Sequence, residues 1–171
     1  MTTAVLFLTG IAMSAAGVAQ NTPSAKTSWA QTVVWLIDFA AAHRVPAHAS
    51  DVYQAGPLSS PEKCKLEIDM SVARFETKWS VNHVTATIKL AQIRHIGWLT
   101  DGGTRPSHPV RLQSGRTEPA IEEVTKTSDD LTTTTQPITL DLLFDSADAA
   151  ARFGRGISHA ILLCGGKTSL D

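Results

Sequence analysis

Residues 145–166 read DSADAAARFGRGISHAILLCGG, and this stretch does most to limit what the chain can fold into. Phe153, Ile157, Ala160, Ile161 and Cys164 recur at spacings of four, three, one and three, which is one face of a 3.6-residue helix. Asp145 or Ser146 supplies a side-chain oxygen for the first unpaired N–H groups. Asp148 then falls in the first turn, where negative charge suits the helix dipole. Gly165-Gly166 offers the left-handed residue that ends such a helix. Gly154 and Gly156 oppose a free-standing helix, at roughly 1 kcal/mol each relative to alanine. Burial of Phe153, Ile157 and Ile161 returns roughly 1.5–3 kcal/mol apiece. The stretch is therefore a helix only if it lies on something.

The surface for it comes from strands. Cys64, Leu66, Ile68 and Met70 alternate with Lys65, Glu67 and Asp69, the period of a strand buried on one face. Val84, Ala86, Ile88 and Leu90 repeat the pattern, as do Ile138, Leu140, Leu142 and Phe144. Shorter candidates occupy residues 73–79, 110–113 and 120–125. Turn signals separate them at Asp101-Gly102-Gly103, at Ser114-Gly115 and through residues 128–136, where Thr132–Thr135 reads as a hairpin end. Residues 48–61, with two prolines and a glycine, read as a connector with a brief strand at Val52-Tyr53.

A second helix precedes the strands. Ser28 with Gln31 resembles a capping box, and Trp29, Val33, Leu36, Ile37 and Ala40 form a helical stripe that Val34, Trp35 and Phe39 widen. So broad an apolar face predicts burial on more than one side, with Pro46 ending the helix. Helix, about six short strands, helix: the expected class is α+β, a bent and mostly antiparallel sheet or partial barrel with an N-terminal helix and a C-terminal capping helix. That element order is analogous to a pleckstrin-homology-like domain.

Residues 1–19 are apolar and small, no charge appears before Lys26, and Gly17 and Ala19 suit signal-peptidase cleavage before Gln20. The expected organisation is a signal peptide over 1–19, a linker over 20–27, one domain over 28–166 and a tail over 167–171, with export to a periplasmic or extracellular space. The 171 residues suit one domain, and 43% hydrophobic content supports a core. Fifteen basic and sixteen acidic side chains lie scattered for a formal net charge of −1, which argues against nucleic acid or a polybasic membrane contact. After cleavage no stable membrane span is expected.

Cys64 and Cys164 both fall on predicted core faces of an exported chain, and pair as a disulfide in the favoured reading. Such a bond closes a loop of about 100 residues, worth roughly 4–5 kcal/mol in the chain-entropy account. Two separate buried thiols are the alternative. Neither cysteine has a second ligand at metal spacing, so no metal and no cofactor is expected.

With Cys64-Lys65-Leu66, Leu90-Ala91-Gln92-Ile93, Phe144-Asp145, His159-Ala160 and Leu163-Cys164-Gly165-Gly166 in view, the chain resembles an uncharacterised family of small exported bacterial proteins. Its members run from a signal peptide through a helix and a G-C-T-L-like strand to a helix ending L-C-G-G; Lys63 stands where they tend to have glycine. The resemblance covers residues 28–166 and implies one exported domain with paired cysteines. It implies no activity.

None of His43, His48, His83, His95, His108 and His159 stands at a recognised ligand spacing, and neither a nucleophile elbow nor a phosphate loop is present in the sequence. His159 reads as a hydrogen-bonded or half-exposed helix residue. Residues 98–108 gather Asp101, Arg105, Ser107 and His108, which turn chemistry explains better than catalysis. Three functions follow in order. The first is a non-catalytic binding module for a protein, peptide or envelope component, favoured if a strand edge is unpaired. The second is a structural subunit of an envelope complex. The third is a small hydrolase using His95, Asp101 and His108.

Overall fold

Helix α1 (Trp29–His43) begins where Ser28 and Gln31 exchange bonds. The Gln31 N–H donates to Ser28 Oγ at 3.4 Å, and the Ser28 N–H donates to Gln31 Oε1 at 3.0 Å, satisfying two first-turn donors at once. The computed structural model describes residues 22–45, 52–75, 79–98, 107–127 and 129–170. The signal-peptide expectation, Pro46, His48 and Asp101 lie outside these residues.

Five strands form the first sheet: β1 (Val52–Ser59), β2 (Lys65–Phe75), β3 (Trp79–Lys89), β6 (Ile121–Lys126) and β7 (Thr132–Thr135). They are antiparallel throughout, in the order β1-β2-β3-β6-β7. A 3-10 turn at Leu90–Gln92 carries the chain from β3 into the second sheet. That sheet contains β4 (Ile93–Trp98), β5 (His108–Ser114), β8 (Thr139–Phe144) and β9 (Ser169–Leu170), in the order β8-β5-β4-β9. Only the β4–β9 pairing is parallel. Helix α2 (Ala147–Leu163) lies against β4, β5 and β8 and also packs on α1. The fold is α+β with a bent, unclosed and mostly antiparallel sheet system, as the element order predicts.

Several expectations are corrected. The connector over residues 48–61 contains an eight-residue strand, β1, bulged between Ala55 and Leu58. Gly56 makes the bulge possible, because a Cβ there would collide with the Asp69 backbone carbonyl. Residues 73–79 are not a strand of their own: β2 runs to Phe75 and β3 starts at Trp79. Strands β4 and β9 have no counterpart in the sequence reading. In β4 the buried residues Ile93 and Ile96 are three apart, because the register shifts between Ile93 and His95.

The alternating residues supply the core. Leu66, Ile68, Ala86, Ile88, Val110, Leu112, Leu142 and Phe144 are all buried, in one cluster with Phe153, Ile157, Ala160 and Ile161 of α2 and Leu36, Phe39 and Ala40 of α1. Aromatic rings link the layers: Trp35 to Phe39 at 4.6 Å, Phe39 to Phe144 at 6.4 Å, Phe144 to Phe153 at 4.7 Å. Ser146 caps α2, accepting the Ala149 N–H at 3.2 Å. At its other end Gly165 adopts φ +76°, and the Gly165 and Gly166 N–H groups donate to the Leu162 and Ile161 carbonyls, both at 3.0 Å. This is the two-bond glycine stop.

Cys64 and Cys164 are joined in a disulfide, with Cα atoms 5.6 Å apart. The bond closes the corner where the sheets meet. The Cys64 carbonyl accepts the N–H of Leu90, in the 3-10 turn, at 3.0 Å, and Gly166 packs beside Ala91 of the same turn.

Candidate functional site

Two of the residues proposed for hydrolysis, His95 and His108, are held apart. His95 pairs with Gln113 across β4 and β5, whereas His108 starts β5 opposite Phe144. Five strand positions separate Gln113 from His108, about 16 Å at the ordinary strand rise. His95 Nδ1 instead lies 2.8 Å from Ser169 Oγ of β9.

The other described histidines have structural duties. His43 Nδ1 meets Asp145 Oδ2 at 3.0 Å, at the start of α2. His83 Nδ1 is 3.5 Å from Ser71 Oγ, and His159 Nε2 donates to the Thr27 carbonyl at 3.1 Å, the half-buried helix position expected of it. Among the described residues, no group of three or more His, Cys, Asp or Glu side chains converges for a metal.

One cation is held mostly inside. Arg44, the C-cap of α1, donates from Nη1 to the Gly56 carbonyl at 2.9 Å, while its buried Nε has no partner. Burial lowers its pKa, since the charged form is the one desolvation penalises. A small recess of about 130 Å³ lies beside it, lined by Ala40, Ala41, Gly56, Pro57 and Leu58. The carbonyl end of α1 faces the same region, which opposes anion binding. Arg44 acts as a pin between that helix end and the β1 bulge.

What remains is the set of sheet edges, because an unpaired edge exposes a row of backbone donors and acceptors. In the second sheet, β8 is covered by the segment after α1: Arg44 bridges Phe144, and the Val45 N–H donates to Leu143 at 3.0 Å. Its other edge, β4, is capped by the two residues of β9. In the first sheet, β1 is blunted by its bulge, by Pro57 and by the Arg44 guanidinium.

Strand β7 is different. Thr132, Thr133, Thr134 and Thr135 are all exposed, β7 is the outermost strand, and among the described residues nothing pairs with its far side. Leu131 just before it is 66% exposed. It contains neither proline nor charge, and four β-branched residues favour the extended backbone. Behind it Glu123, opposite Thr135, is half-buried, and burial raises its pKa. The sequence marked Thr132–Thr135 as a hairpin end; that it is also a sheet edge depends on strand order.

A second surface lies on α1. Ala30, Gln31, Val34, Trp35, Asp38, Phe39 and Ala42 line an open, mainly apolar groove of about 630 Å³, and Val34 is 56% exposed. The widened stripe packs on two neighbours, α2 and β1, as its breadth predicts, and still leaves this groove open. Lys65 is paired with Glu62.

No protein-family model matches the chain, and no curated protein or solved structure is significantly similar to it.

Proposed function

We propose that this chain is an exported, non-catalytic interaction domain that takes up an extended polypeptide segment by strand addition at β7. The observation that carries the reading is β7 itself, an exposed, uncharged, β-branched outer strand in a sheet whose other edge is blunted. An incoming strand gains main-chain hydrogen bonds there, and its alternate side chains meet the flanking surface. The Cys64–Cys164 disulfide supports an oxidising compartment. The resemblance to small exported bacterial proteins points the same way, and among the described residues no helix is long and apolar enough to cross a membrane.

The test is selection of a displayed random-peptide library on the oxidised domain, followed by Thr133→Pro and Thr134→Pro. Adjacent strand residues aim their N–H groups to opposite sides, so one of these substitutions removes an outward donor and the other an inward one. Extended, alternating peptides are expected, and the outward substitution is expected to abolish their binding while the melting temperature holds. Peptides that bind both variants as well as the parent would sink the proposal.

The second reading, a structural subunit of an envelope complex, rests on the α1 groove around Val34 and Trp35. Its occupant is an amphipathic helix of a neighbouring chain, laying its own apolar stripe along α1.

A further inference from the structure

Residues directly opposite one another in an antiparallel sheet share a face. One such row crosses the first sheet: Leu58 faces Ile68, Ile68 faces Ala86, Ala86 faces Glu123 and Glu123 faces Thr135. Leu58, Ile68 and Ala86 are core residues, at 5%, 0% and 0% exposure. Glu123 therefore stands on the core-facing side of the sheet, one strand in from β7. Ile121, two positions earlier on the same face, is buried as well. An apolar residue would suit this place better, since desolvation penalises a carboxylate.

The charges of β6 are divided between the two faces. Glu122 and Lys126 are on the outer one, where Glu122 is near enough to Lys65 to favour its charged form. Glu123 stands apart from them. It is half-buried, burial raises its pKa, and among the described residues no cation is paired with it. A partly desolvated carboxylate of this kind is stabilised by a cation brought to the same face. The way to it is over β7, where Thr135 intervenes and is short. A strand added beyond β7 would lie two strand spacings from β6, about 9.5 Å. A lysine or arginine leaning over Thr135 from one side closes that gap with a glutamate leaning from the other.

We infer that the segment taken up at β7 carries a lysine or arginine opposite Thr135, where its charge meets Glu123 on the core-facing side of the sheet. The inference rests on strand addition at β7 and adds the chemistry of the partner. Backbone hydrogen bonds give such an edge affinity without regard to sequence. Glu123 adds a charge preference and fixes the register, because a shift by one residue would carry the cation to the other face.

The probes are three end-capped synthetic peptides: Thr-Val-Thr-Lys-Thr-Val-Thr and its counterparts with methionine or glutamate in place of the lysine. Each is titrated into the oxidised protein with the backbone amides of Thr132–Thr135 followed by NMR. The lysine peptide is expected to bind about fivefold more tightly than the methionine peptide, and the glutamate peptide more weakly than either. Glu123→Gln is expected to erase the lysine preference with no loss of melting temperature, and Glu123→Lys to reverse it in favour of glutamate. Glu122→Gln, on the other face, is expected to keep it. Equal binding of the lysine and methionine peptides, both abolished by the outward proline substitution in β7, would overturn the inference and leave strand addition standing. A preference lost in Glu122→Gln as fully as in Glu123→Gln would belong to diffuse charge and would also overturn it. Peptides that leave the Thr132–Thr135 amides unmoved would remove strand addition and the inference together.

Discussion

Helix α1 has one acidic residue, Asp38, in a run of apolar ones, yet it buries only Thr32, Leu36, Phe39 and Ala40. Helix α2 carries Asp148, Arg152 and Arg155, yet it buries nine of its 17 residues. The richer helix is the outer one. Helix α2 is sandwiched between the second sheet and α1; Asp148 and Arg155 are exposed, while the Arg152 guanidinium lies over the Phe39 ring of α1. Helix α1 rests on α2 and β1 and has more apolar surface than those two neighbours cover. How apolar groups are arranged, more than how many there are, decides what a helix buries. The excess on α1 is what a partner has to work with.

The largest test of this contrast is Phe153→Ala. Phe153 is fully buried between Phe144 and the body of the core, and truncation of such a ring costs about 3–5 kcal/mol. A thermal or denaturant melt of the oxidised protein should show that loss. A loss below about 1 kcal/mol would mean α2 does not organise the core.

Gly154 and Gly156 sharpen the contrast further. Helix propensity alone predicts that alanine at either site stabilises α2 by about 1 kcal/mol. The structure reverses the sign. A Cβ on Gly154 would run into the indole ring of Trp98 from β4, and one on Gly156 into that of Trp35 from α1. Each glycine is thus a seat for a tryptophan. Overpacking of this kind costs about 1–3 kcal/mol. Gly154→Ala is expected to cost more than Gly156→Ala, because Trp98 belongs to a paired strand while Trp35 borders the open groove and has room to shift. Equal stabilisation by both substitutions would show that the rings yield freely and that propensity decides.

The glycines also show where one-dimensional reading stops. The stripe, caps and glycine stop of α2 were legible because they are local, as were the capping box at Ser28 and the strands that alternate cleanly. The pairing of Cys64 with Cys164 was legible from their expected faces. That Gly154 and Gly156 are binding seats was not, since the tryptophans come from distant parts of the chain. β1 was masked by Gly56-Pro57 and β4 by its register shift, both of which break the period of two. β9 is two residues long and carries no period at all. The candidate site suffered most: neighbours in sequence suggested His95, Asp101 and His108, while the feature on which the proposed function rests, the outer side of β7, exists only once strand order is known.

Val34 gives the smallest effect on stability and the most direct reading of α1. It is β-branched, which helices disfavour slightly, and at 56% exposure it gains little from burial. Lysine is a better helix former and would stand one turn before Asp38. Val34→Lys is therefore expected to leave the isolated domain within about 0.5 kcal/mol of the parent. Association through the α1 groove would behave otherwise, because a charge at the centre of an apolar seat is desolvated without a partner. Sedimentation of parent and variant across a concentration series, together with their melts, separates the two roles. Unchanged stability with loss of a concentration-dependent oligomer would favour the structural-subunit reading over strand addition. A stability loss of about 2 kcal/mol or more would instead place Val34 among the buried residues and remove the excess apolar face on which the contrast between the helices rests.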